Sequence, residues 1–295
     1  MTVGDRELRV EGRLVRIARL AAEGYEAVDD PGALLDRVRR CGSRVDLFTF
    51  IQDVAGPVPT HRYPLEWDNV AALPVSSFEH WWTRQVNDKV RNRVRHAGRQ
   101  GVAVRRVPFD DALVRGISRI YDETPTRQGR RFWHYGKDLD AVRRENATFL
   151  DRSVFLAATL RDELIGYAKL VVGPTQAGLM QILAMVQHRD KAVPNALVAE
   201  AVRICAERQV PYLVYAKFTY GTKRPDSLAD FKRYNGFQRL EVPRYYVPLT
   251  LVGRLALGLG LHRGVAAYVP DALQARLRAL RRHWSGRRLQ TADPA

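Results

Sequence analysis

The chain has 295 residues, 46% of them apolar, with 48 Lys and Arg against 32 Asp and Glu, a formal net charge of +16. That length fits one large domain or two small ones, and the apolar content excludes general disorder, while the charge fits either a polyanionic partner or a solvated Arg-rich surface. Cys41 and Cys205 form no CxxC and have no histidine at ligand spacing, which excludes a disulfide scaffold and a structural zinc.

Leu8, Val10, Leu14, Val15 and Ile17 alternate with polar residues, predicting a hairpin over 7–20 around Gly12. Pro31 opens a helix over 32–40. Strands follow at 44–52 and 66–75. Ser76 or Ser77 caps a helix over 77–100, whose apolar stripe is Trp82, Val86, Val90, Val94 and Ala97. Gly101 ends it, and a strand at 102–107 and a helix at 110–123 come next. A short helix from Lys137 precedes strands at 154–160, 164–172 and 178–186, joined by tight turns. Asn195 is expected to cap a helix to Gln209, followed by a strand at 212–218, a helix at 227–235 ended by Gly236, and strands over 237–247. In the last segment, Leu273, Leu277, Leu280 and Trp284 form one stripe among arginines. That stripe reads as packing on the domain ahead of resting on an anionic membrane.

Residues 1–7 lack the charged start and apolar run of a signal peptide, and no run of 18 apolar residues occurs. The expected setting is reducing and cytoplasmic. The expected organisation is a reduced N-terminal lobe over 1–80, a main domain over 81–250 that includes the basic inter-lobe helix 77–100, and a basic helical tail over 251–295. A meander followed by strand–helix–strand predicts an α/β (α+β) architecture, a mixed and mainly antiparallel sheet with helices on both faces.

This order resembles the GNAT acyltransferase fold. Two motifs resemble the Fem-type aminoacyltransferases (FemAB-like). Lys89, Arg91, Asn92, Arg95, Ala97, Gly101 and Val102 match an inter-lobe helix pattern. Phe231, Lys232, Gly236 and Phe237 match a Phe-Lys-x-x-x-Gly-Phe motif. Thr126-Arg127-Gln128-Gly129 sits where that family has its Thr/Arg loop. The similarity covers roughly 80–250. Fem-type enzymes have two full lobes, whereas some 80 residues before the helix are too few for a complete first one.

The resemblance implies N-acyl transfer from an activated donor, acyl-CoA or aminoacyl-tRNA as co-substrate, to a small-molecule or peptide amine. No tightly bound cofactor and no metal are implied. It implies that the fourth and fifth strands, 178–186 and 212–218, splay apart around the acyl group. It also implies that Lys232 stabilises developing negative charge there, with Phe231 beside it. On the fifth strand, period-two alternation puts Tyr215, Lys217 and Thr219 on one face. Tyr215 or Tyr220 is suited to protonate a leaving group, and Lys217 to bind phosphate. Direct attack needs no protein nucleophile, and neither Gly-x-Ser-x-Gly nor a Cys–His pair is present.

Residues 187–195 occupy the place of the pyrophosphate loop of coenzyme A users, but carry none of its glycines. Arg189, Lys191 and the helix start at Asn195 remain as phosphate contacts. Arg127, Arg131, Trp133 and His134 belong to a basic-aromatic loop that reads either as an acceptor or nucleic-acid contact or as a plug at the core edge. Arg91 and Arg95 read either as tRNA contacts or as a solvated helix flank. His61, Glu66, Trp67 and Asp68 read as structural before catalytic. The alternative to an enzyme is a degenerate GNAT module that binds nucleic acid or a protein partner.

Overall fold

Residues 1–26, 28, 30–54, 58–127, 129–219 and 227–263 are described by a computed structural model. They fall into two compact units, one of residues 1–21, 30–50 and 246 onward, the other of residues 22–29 and 51–245.

In the first unit β1 (Thr2–Val3) and β2 (Arg6–Glu11) are antiparallel, and β2 turns back into β3 (Ile17–Leu20). This is the hairpin that the alternation predicts. The turn holds Gly12 at φ +92°, where a Cβ would overlap the Val15 carbonyl, so only glycine fits. α1 (Pro31–Arg40) starts at Asp30, whose carboxylate accepts the Ala33 N–H, and carries the chain over to β4 (Leu47–Ile51), parallel to β3. Parallel neighbours require such a crossover.

The second unit opens with β5 (Leu65–Pro74). The single helix expected over 77–100 is broken in two. α2 (Phe78–His80), capped by the Ser77 hydroxyl on the His80 N–H, widens into a π turn at Trp81–Gln85. Val86 is extended, and Asn87 caps a new helix, α3 (Asp88–Arg99). The wide turn brings Trp81, rather than Trp82, fully into the core, where its indole N–H donates to the Asn235 carbonyl at 2.9 Å. A continuous helix on the Trp82–Ala97 stripe would leave that bond unmade.

β6 (Ala103–Val107) and α4 (Asp111–Asp122) follow, then the two-residue strands β7 (Thr126–Arg127) and β8 (Arg130–Arg131) and the helix α5 (Leu139–Asn146). The meander is β9 (Ser153–Leu160), β10 (Glu163–Val172) and β11 (Ala177–Ala184). Arg161 and Asp162, both at positive φ, make the first turn. α6 (Val193–Glu207) leads to β12 (Tyr212–Val214), α7 (Ser227–Tyr234) to β13 (Gln238–Pro248), and the first unit resumes with α8 (Leu251–Gly258).

Within the second unit the strand order is β13-β5-β12-β11-β10-β9-β6, and every pair is antiparallel except β11–β12. The sheet is therefore mixed and mainly antiparallel, as expected. Neighbouring residues of β10 show the helices on opposite faces. Tyr167 meets Tyr121 of α4 at 2.8 Å, while Gly166 lies under Val193 of α6. α6 is buried along most of its length, which places Cys205 in the core, where burial pushes its thiol up to about 12.

Candidate active site

β11 and β12 pair at only two positions, Ala177↔Leu213 and Gly178↔Val214. Beyond them the strands part. The strand expected over 212–218 stops at Val214 because Ala216 takes φ +48°. The Tyr215 N–H and the Ala216 carbonyl both turn to Ala71 of β5. From Met180 to Ala184, β11 is partly exposed on the open side. At the root of the fork Gly178 lies under Tyr25, whose ring carbons would stand 2.5–2.6 Å from an added Cβ.

The kink at Ala216 also undoes the single polar face expected for Tyr215, Lys217 and Thr219. Tyr215 packs against the core and its ring lies 6.2 Å from that of Phe237. Lys217 instead reaches Asp68 of β5, with Nζ at 2.8 and 2.7 Å from the two carboxylate oxygens. Arg244 of β13 binds the same carboxylate through Nε at 2.9 Å and clasps Glu23 through its other two nitrogens at 2.9 and 2.7 Å. Burial works against ionised Asp68, but the bonds from Lys217 and Arg244 prevail and hold its carboxyl below the usual range. Asp68 is thus the pivot of the cluster. Glu23 and Arg244, distant from it in sequence, complete it, and no sequence motif pointed to them.

Lys232 is fully buried, not solvated at the surface of its short helix. Its Nζ donates to the Lys217 carbonyl at 2.6 Å and lies 4.6 Å from the centre of the Tyr215 ring. Its helix is fixed from behind. Gly236 at φ +92° ends α7, Phe237 is buried, and Phe231 packs on the core edge. Lys232, Tyr215, Phe231 and Lys217 are therefore neighbours at the mouth of the fork. Tyr220 lies outside the described residues.

The segment in the place of the pyrophosphate loop is wound into 3₁₀ turns over Val186–Lys191, kinked at His188. Glu123 accepts the Val186 N–H at 2.6 Å and the Gln187 N–H at 2.8 Å. The N–H groups of His188, Ala192, Asn195 and Ala196 go to the carbonyls of Met185, Arg189 and Ala192. Asn195 is not the helix cap. The helix starts two residues earlier after Ala192 at φ +52°, and the buried Asn195 amide donates to Asn235 Oδ1 at 3.3 Å. Arg189 is exposed, and Lys191 pairs with Asp190 at 3.2 Å.

Arg127 points inward. It donates to the Ala184 carbonyl at 3.0 Å and the Ile120 carbonyl at 2.8 Å, and its guanidinium lies over the Phe132 ring at 4.2 Å. His134 is buried against Tyr121, with ring centres 4.1 Å apart. Burial, helped by the charges of Lys137 and Arg127, pushes it down to about 4. Arg131 and Trp133 are exposed, the latter by 65%, under the ammonium of Lys137 at 3.5 Å. On α3, Arg91 collects the Trp82 and Val86 carbonyls at 2.8 and 3.1 Å and so caps the π turn, while exposed Arg95 lies over Trp82. Among the described residues no group of three or more His, Cys, Asp or Glu side chains is placed to hold a metal, and no helix is long and apolar enough to cross a membrane.

No family model and no curated protein matches the chain. Solved structures do. FemX is 10% identical, with 85% of this chain and 86% of that chain covered, at a TM-score of 0.58. The C-terminal DUF2156 domain of an Agrobacterium fabrum protein is 12% identical over 86% and 88%, at 0.54. L-PGS from Bacillus licheniformis is 12% identical over 84% and 85%, at 0.51. The chain therefore has the GNAT-like fold of the Fem-type acyltransferases.

Proposed function

We propose that this protein transfers an aminoacyl group from aminoacyl-tRNA to an amine by direct attack within the fork between β11 and β12. The observation that carries this reading is the buried Lys232 held at the mouth of that fork. In the transfer the amine nitrogen forms a C–N bond to the ester carbonyl, the C–O bond to the ribose breaks, and the amine's proton passes to the leaving oxygen. The Lys232 ammonium supplies positive charge to the oxyanion that develops between those two events, in a site with little water to screen it. Tyr215 and Lys217 shape the site around it, with Lys217 kept in place by Asp68.

The 186–196 segment supports this choice of donor. Coenzyme A needs an open cradle of N–H groups for its pyrophosphate. Here the glycines are absent, and six of those donors are accepted within the protein, two of them by the Glu123 carboxylate. An RNA-borne ester does not need that cradle, and the +16 charge suits its backbone.

The test is transfer of labelled amino acid from a pool of aminoacyl-tRNAs, against labelled acetyl-CoA, to simple amine acceptors. Transfer from the tRNA pool alone, reduced about a hundredfold or more by Lys232→Met, is expected. Turnover of acetyl-CoA would overturn the donor, and full activity in Lys232→Met would remove that residue from the mechanism. Salt-sensitive tRNA binding without any transfer would leave a binding module instead.

A further inference from the structure

α8 is packed inside out. The residues turned to the protein are the small ones, Gly253 and Ala256, both buried. Gly253 lies so close against the Asp46 backbone that a Cβ there would overlap the carbonyl oxygen. The contact is fastened by Thr250, whose hydroxyl donates to Asp46 Oδ1 at 2.8 Å and caps the Gly253 N–H at 3.1 Å. Asp46 in turn accepts the Arg16 N–H and the Arg44 side chain. The leucines point away. Leu251 is 74% exposed, Leu255 and Leu259 67% each, and Val252 and Leu261 are exposed beside them. The spacing 251, 255, 259 is one stripe of a helix. The turn after α8 is held by His262, whose ring meets Tyr246 at 4.6 Å. A soluble surface seldom shows so continuous an apolar strip without a use for it.

The charge around the strip selects what it meets. No Asp or Glu occurs between Glu241 and Asp271, while Arg254 and Arg263 flank the leucines. Residues 251–295 hold eight arginines and two aspartates, a net of +6. A second copy would bring the same cations, and a further +16, against this face. The remainder of the chain, 264–295, has six arginines and two aspartates and is of like sign. An anionic bilayer complements both features, taking the leucines into its acyl boundary and the arginines at its headgroups. We propose that the outward face of α8 is a peripheral membrane-docking surface for anionic lipid. The packing expected from the sequence concerns the Leu273–Trp284 stripe, which lies outside the described residues, whereas the outward turn of Leu251–Leu259 is set by Asp46, far off in the chain. This inference is independent of the reaction proposed above.

The full chain is sedimented with vesicles of phosphatidylcholine, with and without phosphatidylglycerol, at low and high salt. Binding to the phosphatidylglycerol vesicles alone, weakened by salt, is expected. Leu251→Ser/Leu255→Ser/Leu259→Ser should bind about tenfold more weakly or worse with an unchanged Tm, since all three positions are exposed. In Leu255→Trp the indole emission should shift to the blue on those vesicles and not on phosphatidylcholine. Three results would each overturn the proposal: no binding by the wild-type chain, full binding by the triple serine variant, or a wild-type dimer that the same variant converts to monomer.

Discussion

The Glu123 carboxylate gives the sharpest test of the closed 186–196 segment. It accepts two backbone N–H groups, from Val186 at 2.6 Å and Gln187 at 2.8 Å, and faces the Arg127 guanidinium at 3.4 Å. Its side chain is only 14% exposed and that of Arg127 16%. Hydrogen bonds to a charged acceptor contribute about 1.5–3 kcal/mol each. Glu123→Gln keeps the shape but presents one neutral oxygen to two donors. Its amide group then abuts the second N–H, and Arg127 loses its counter-ion while still fixed to the Ile120 and Ala184 carbonyls. One charged bond is lost and the other weakened, with a partly buried cation left unbalanced, for a total of about 3–5 kcal/mol. Urea unfolding at constant m-value reads this as a lowered midpoint. A loss below about 1 kcal/mol would refute the idea that the carboxylate holds these donors. Glu123→Ala, which uncovers both N–H groups, should also gain a small thermal shift with inorganic phosphate that the wild-type chain lacks.

The neutral, buried His134 makes stability depend on pH. Its folded value of about 4 lies below the ordinary 6.5, so the folded chain binds fewer protons in that window. Stability is complete above pH 6.5 and falls by up to about 3 kcal/mol as the pH drops toward 4, a slope that His134→Phe should flatten in urea titrations. At the root of the fork, Gly178→Ala should cost about 1–3 kcal/mol through overlap with Tyr25. Tyr25→Ala should remove most of that cost, and a full cost in the Tyr25→Ala background would show that the ring is not the obstacle.

The sequence named single residues of the candidate site, not their arrangement. The Phe-Lys-x-x-x-Gly-Phe pattern singled out Lys232 through its family resemblance, but its burial comes from the fold, which turns its Nζ to the Lys217 carbonyl. The missing glycines of 187–195 set the segment apart from a coenzyme A loop, but the closing of its N–H groups by Glu123 and by neighbouring carbonyls is seen only in the fold. The cluster around Asp68 was not legible. Its members come from residues 23, 68, 217 and 244, joined only when β13 and β5 pair and Ala216 kinks the chain toward them.

Most element types and their order could be read locally, because hydrophobic period, caps and turn residues act within a few positions of the chain. That sufficed for the hairpin at Gly12, the meander and the mixed sheet. Where those elements break and which way their faces turn is set by contacts made across the fold. Trp81 opens a π turn to reach Asn235, Ala216 leaves the strand to satisfy Ala71, and Gly253 seats α8 on Asp46 with its leucines outward. In the first two cases the deciding partner is a backbone carbonyl or N–H far away in sequence, and in the third it is Asp46, through its backbone and its carboxylate. A buried polar group must find its bond wherever the fold offers one, and local periodicity carries no record of that place.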